Sequence, residues 1–261
     1  MKNIAFIILF ITSIAYSQTK KTIVPTTGAI VFKMEAIISD TIKYQKSYDR
    51  LSSMMIDYQI EKENANTFVN IDTSKVNQIK KTFKSILHRE IKNKILNKDA
   101  ESFKYHQKFH NNLIINYITS NDKIISDISI INPKLKLLKI VASDSISIIS
   151  ENKNYSYNKN EIVEIKEFKK EKRIIKGYTC FKVVVSYKEF QQNDIDFNNF
   201  MHQNYIQKRE LWVTTQIKCN YHPVINEKEI LLKYYPLEII ESTENIEGFV
   251  TKYLIEKIDI K

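Results

Sequence analysis

Between residues 29 and 38 the charged residues keep to one side of a two-residue alternation. Ile30, Phe32, Met34, Ala36 and Ile38 fall on one side, and Lys33 and Glu35 fall on the other. A period of two marks a strand with one buried face. The same signature returns over residues 123–131, 135–142, 146–150, 161–168, 174–187, 209–219, 229–241 and 249–260, in runs rich in Ile, Val, Tyr and Phe. So many consecutive strand signals confine the chain to a large, mostly antiparallel sheet. Pro236 interrupts the 229–241 run, which makes that strand either an edge or bent. With only 3 glycines and 4 prolines, the turns fall to Asn, Asp and Ser, whose side chains bond their own backbone and tolerate left-handed geometry. The Asn-bearing stretches 151–160 and 191–207 read as loops.

Helical signals are fewer. Val76, Ile79, Phe83, Ile86, Leu87, Ile91 and Ile95 recur at spacings of three and four within residues 72–96, giving one apolar stripe, and Asp72 or Ser74 is placed to cap it. A weaker helix is expected over 99–117, and residues 42–66 fit strand or helix equally. The expected fold is α+β: a curved, half-barrel-like antiparallel sheet with one or two helices packed against it. No repeat, linker or composition break divides the chain, so residues 18–261 read as a single β-rich domain.

The N-terminus sets the expected compartment. Met1-Lys2-Asn3 precedes eight apolar residues from Ile4 to Ile11, and Ala15 and Ser17 then occupy the small-x-small positions of a cleavage site. Residues 1–17 are read as a signal peptide, too short for a membrane span, which takes about 20 apolar residues. The first cysteine is Cys180, so the lipoprotein route to an anchor is missing. No integral membrane segment is expected after cleavage. The formal net charge of +10 is spread over the whole chain, with no basic block longer than the stretch at 169–173. Such a spread points to compositional drift and away from a nucleic-acid footprint, which clusters.

Several chemistries are excluded. Gly28, Gly177 and Gly248 lie too far apart for a phosphate-cradling loop or dinucleotide fingerprint, and there is no Gly-x-Ser-x-Gly elbow. No cofactor and no catalytic residue is assigned. His106 and His110 would share a helical face and form the weak candidate for a metal site, with Glu101 as a third ligand. However, Gln107 stands where a zinc protease needs its glutamate. His88, His202 and His222 stand alone. Asp194/Asp196 and Asp122/Asp127 read as solvated acids. The segments Tyr155-Ser156-Tyr157 and Tyr234-Tyr235 could stack on a glycan or single-stranded nucleic acid, but Tyr157, Tyr234 and Tyr235 fit sheet-face residues better, as does Trp212. Cys180 and Cys219 would close a loop worth about 4 kcal/mol if bridged; two buried thiols satisfy the sequence equally, since a bridge needs facing Cβ atoms.

Two stretches resemble the GLPGLI family of exported Gram-negative proteins, which has no established activity. Ile175-Lys176-Gly177-Tyr178-Thr179-Cys180-Phe181-Lys182 is similar to its Ile-x-Gly-Tyr-x-Cys-x-Lys element, and Trp212-Val213-Thr214-Thr215-Gln216-Ile217 to its Trp-x-Thr-x-x-Ile element. Gly28 to Phe32 resembles its first strand. The name-giving motif would fall at Tyr234-Tyr235-Pro236-Leu237-Glu238-Ile239, where only Pro236 and Ile239 match, so the chain resembles a divergent member. The resemblance implies a periplasmic or extracellular address and transfers no catalytic residue. The leading expectation is a non-catalytic binder of an apolar ligand, lipid or peptide on a curved sheet. The alternatives are a metal- or carboxylate-dependent hydrolase without a familiar motif, and a structural partner of an outer-membrane protein complex.

Overall fold

The computed structural model describes residues 21–67, 103–143, 148–188 and 206–261, with isolated helical positions between 74 and 85. The signal-peptide stretch, most of the 72–96 helix, His88, Glu101, Asp194, Asp196 and His202 lie outside them. The strands are β1 (Gly28–Ile38), β2 (Lys104–His110), β3 (Leu113–Ser120), β4 (Lys123–Ile124), β5 (Ile128–Asn132) and β6 (Leu137–Val141). They continue with β7 (Ile148–Asn154), β8 (Glu161–Ile175), β9 (Tyr178–Lys188), β10 (Gln207–Thr214), β11 (Tyr235–Thr243) and β12 (Phe249–Ile260). All twelve form one antiparallel sheet in the order β7-β6-β5-β3-β2-β1-β12-β11-β10-β9-β8, with β4 beside β3. This is the expected α+β class with an open, curved sheet.

Connectivity demands the curvature. β7 and β8 are the two ends of the strand order, yet only residues 155–160 join them. Laid flat, ten strand-to-strand steps would separate them by roughly 48 Å at about 4.8 Å each. The connection can reach about 25 Å at most. The sheet must therefore roll until its edges approach, and residues 155–160 form a strap across the gap.

The hairpin turns bear out the reading from Asn and Asp. Asn111-Asn112 (φ 51° and 59°), Asn121-Asp122 (49° and 60°) and Lys176-Gly177 (50° and 84°) each supply two left-handed residues between paired strands. Two residues with positive φ make the turn whose twist matches that of the flanking strands. Only one of the three uses glycine.

Several local expectations are corrected. Residues 99–117 contain no helix among the described positions; Lys104–His110 alternates Gln107 and Phe109 inward against Lys108 and His110 outward, the period of a strand. The 174–187 run is two strands split by the Lys176-Gly177 turn, and residues 151–154 extend β7 instead of opening a loop. The 209–219 run ends as a strand at Thr214. The 229–241 run opens with one helical turn, Lys228–Leu231, because Ile230 and Leu231 are buried side by side, which a strand's alternation cannot do. Pro236 is not at an edge. It is the second residue of β11, an interior strand, opposite Val213 and beside a bulge after Trp212, where a proline is tolerated.

The ambiguous stretch 42–66 is helix α1 (Thr41–Thr67). Asp40 caps it: its carboxylate accepts from the amides of Ile42 and Lys43 at 3.1 and 3.0 Å. Ser47, Tyr48, Leu51 and Ser52 are buried at helical spacing. That face docks on the β11–β12 turn, where Arg50 donates to the Asn245 carbonyl at 2.9 Å and Ser47 accepts from the Glu247 amide.

The core has two lobes. One gathers Ile30, Phe32, Phe109, Ile114, Ile131, Tyr178, Cys180, Cys219 and Tyr235, and the other gathers Val183, Val185, Tyr187, Leu211, Val213, Ile225, Ile230 and Ile239. Both include residues of the β10–β11 connection, 215–234, which plugs the rolled sheet. Ile217, Tyr221, Ile225, Ile230 and Leu231 are each at most 7 % exposed.

Candidate binding cleft

At the end of the roll where the strap crosses, the plug does not fill the space. A cleft of ≈ 890 Å³ remains, within the roughly 300–1,000 Å³ typical of ligand pockets. Its floor comes from the β2–β3 hairpin and the plug: Phe109, Ile114, Cys219 and Tyr221 are buried there. Strand register sets this floor, since Phe109 pairs with Ile114 and Ile114 with Ile131 across three strands. Val24 and Leu232 line the cleft while 67 % and 53 % exposed, so apolar surface continues to the rim.

The strap supplies one wall. Tyr155 meets Tyr157 and Tyr221 edge-on, at centroid distances of 5.4 and 4.8 Å. Its amide donates to the Lys136 carbonyl at 2.8 Å and its hydroxyl donates to Asn226. Tyr157 donates to the Asn220 carbonyl at 3.3 Å. Burial raises the hydroxyl pKa of all three tyrosines, so the wall is uncharged at neutral pH.

Beneath the strap lies a buried charge cluster. The Glu227 carboxylate, 1 % exposed, accepts from Arg209, from Asn158 at 2.7 Å and from Asn160 at 3.4 Å, and the Arg209 guanidinium also reaches Glu241 at 2.6 Å. Burial acts to lower the Arg209 pKa, but the two carboxylates outweigh it and the net direction is upward. Asn158 and Asn160 thereby tie the strap to the sheet.

On the other side of the floor, His222 is packed against Phe32 and Tyr235. Its Nδ1 accepts from the amides of Val224 and Ile225 at 3.1 and 3.3 Å, and its Nε2 donates to the Pro236 carbonyl at 3.1 Å. That pattern requires the neutral ring, and burial holds its pKa down at about 3. The Gln107 side chain accepts from Tyr235 and donates to the Tyr221 carbonyl. Both groups orient the plug and neither lines the cleft.

Of the residues singled out from sequence, His106 and His110 do not meet. On β2 they lie about 13 Å apart along the strand. His106 stacks on Tyr117 at 4.6 Å and bonds Thr119, while His110 bonds Asn111. Their helical pairing fails because the segment has the wrong period. Among the described residues no three His, Cys, Asp or Glu side chains are grouped to hold a metal. Cys180 and Cys219 share a core lobe as free thiols, so the bridge is not formed. Burial pushes both thiols up to about 12. Trp212 is the expected sheet-face aromatic, with the Arg173 guanidinium 3.9 Å above its ring. Tyr235 is core, and Tyr234 packs on Phe181. Tyr157 is corrected from sheet face to cleft wall, which it shares with Tyr155. Only the chain's return from one sheet edge to the other places them there, and no local pattern signals it.

No family model matches the chain, and no curated protein and no solved structure matches it.

Proposed function

We propose that this chain is an exported, non-catalytic binding protein that holds an apolar ligand in the strap-covered cleft, and that it is a divergent relative of the GLPGLI family. The observation that carries the binding reading is the cleft lining: an apolar floor, an uncharged tyrosine wall, and apolar surface reaching the rim at Val24 and Leu232. The lining favours holding over hydrolysis. Among the described residues it includes no carboxylate and no imidazole, and its one thiol, Cys219, is kept protonated by burial. The export half rests on the basic-apolar-small pattern of residues 1–17.

Protein recovered from an envelope or secreted fraction should begin at Gln18 and bind an apolar fluorophore such as N-phenyl-1-naphthylamine at micromolar concentration. Val24→Asp combined with Leu232→Asp should weaken this by about ten-fold or more with an unchanged circular dichroism spectrum, because both side chains are exposed and a charge there disrupts only the cleft. A protein that keeps Met1, or whose fluorophore binding ignores both substitutions, contradicts the proposal.

A further inference from the structure

The cleft's charge is as uneven as its polarity. Among the described residues four lysines line it, Lys134, Lys136, Lys218 and Lys228, and no acid does. All four are exposed, whereas Phe109, Ile114, Cys219 and Tyr221 are buried, so the cations stand at the mouth above an apolar floor. Among the described residues none of the four ammonium groups has a carboxylate or other side-chain partner. Lysine abundance alone does not produce this. A second groove of ≈ 690 Å³ on the same protein carries Lys43, Lys166, Lys182 and Lys208, but intersperses them with Glu164, Glu210, Glu244 and Glu247. Composition yields mixed charge there and single-sign charge at the cleft. A one-sign rim over a low-dielectric floor concentrates counter-charge at the opening.

We propose that the cleft takes a single-chain amphiphile with an anionic head, its tail on Phe109, Ile114 and Tyr221 and its carboxylate or phosphate among Lys134, Lys136, Lys218 and Lys228. This rests on the binding reading above and adds the class of ligand. A neutral or cationic amphiphile would leave the four ammonium groups unanswered or repelled. A nucleic acid has the charge but no long tail for the buried floor.

Calorimetric titration with dodecanoate, dodecyl phosphate, dodecanol and dodecyltrimethylammonium separates the contributions. Dodecanoate or dodecyl phosphate should bind about ten-fold tighter than dodecanol, and dodecyltrimethylammonium weakest; which anion leads tells a carboxylate head from a phosphate head. The advantage should collapse in roughly 1 M salt, where screening shortens to about 3 Å. Replacing all four lysines by Gln, exposed positions that leave the core untouched, should abolish the preference and leave dodecanol binding unchanged. Equal affinity for dodecanoate and dodecanol, or a preference for the ammonium head, overturns this inference and leaves the apolar cleft standing. No binding of any of the four overturns both.

Discussion

Arg209→Met is expected to cost the fold about 3–5 kcal/mol, the penalty for leaving a buried carboxylate without its cation. Glu227 is 1 % exposed and Arg209 is its cationic partner; Glu241 loses the same guanidinium. The loss should show as a lower urea midpoint at unchanged slope. Removing the charges together should hurt less than removing the cation alone. Arg209→Met with Glu227→Gln is therefore expected to recover part of the loss, since a buried polar amide can still bond Asn158 and Asn160. If the double variant is no more stable than Arg209→Met, the cluster is not held by the charge pairing described here. The consequence extends past stability: Glu227 anchors the strap, and the strap forms the tyrosine wall.

The second large effect is acid sensitivity from His222. The ring fits only when neutral, so its folded-state pKa, about 3, lies below the unfolded value of about 6.5. Its stabilisation is complete above pH ~6.5 and is lost as pH falls from there towards 3, because the unfolded chain binds the proton that the folded chain refuses. In that window the histidine contributes a slope of about 1.4 kcal/mol per pH unit. Burial is the main cause, and the nearby Arg209 charge acts in the same direction. His222→Asn keeps an acceptor for the Val224 and Ile225 amides but cannot take up the proton. Urea midpoints between pH 6.5 and 4 should fall more steeply in the wild type than in His222→Asn. Parallel curves would mean that His222 titrates freely in the folded protein.

The fold was legible where local chemistry decides it. The first and last strands fall where residues 29–38 and 249–260 placed them, although β1 buries Ile30, Val31 and Phe32 in a row at a bulge in its pairing with β12. Asn111-Asn112 and Asn121-Asp122 are the turns that scarce glycine forces onto Asn and Asp. Legibility failed where a face is not simply apolar. β2 buries Gln107, and β9 buries 178 and 180 and then 183, 185 and 187, its phase shifting at an irregularity in the β8–β9 pairing. Cys180 is therefore buried while Val184 and Ser186 are only partly so, although all three have the same parity along the chain. The cleft was not legible at all. Its wall, floor and rim come from the strap, the β2–β3 and β5–β6 turns and the plug, segments that meet only because the sheet rolls.

The most direct measurement of the central claim is a ¹⁵N–¹H spectrum of the protein titrated with dodecanoate. The binding account predicts shifts confined to amides around the cleft, those of Leu113, Lys136, Tyr155, Cys219 and Tyr221, with the mixed-charge groove at Lys166 and Lys208 silent. Shifts spread over the exposed sheet, or centred on that second groove, would contradict it.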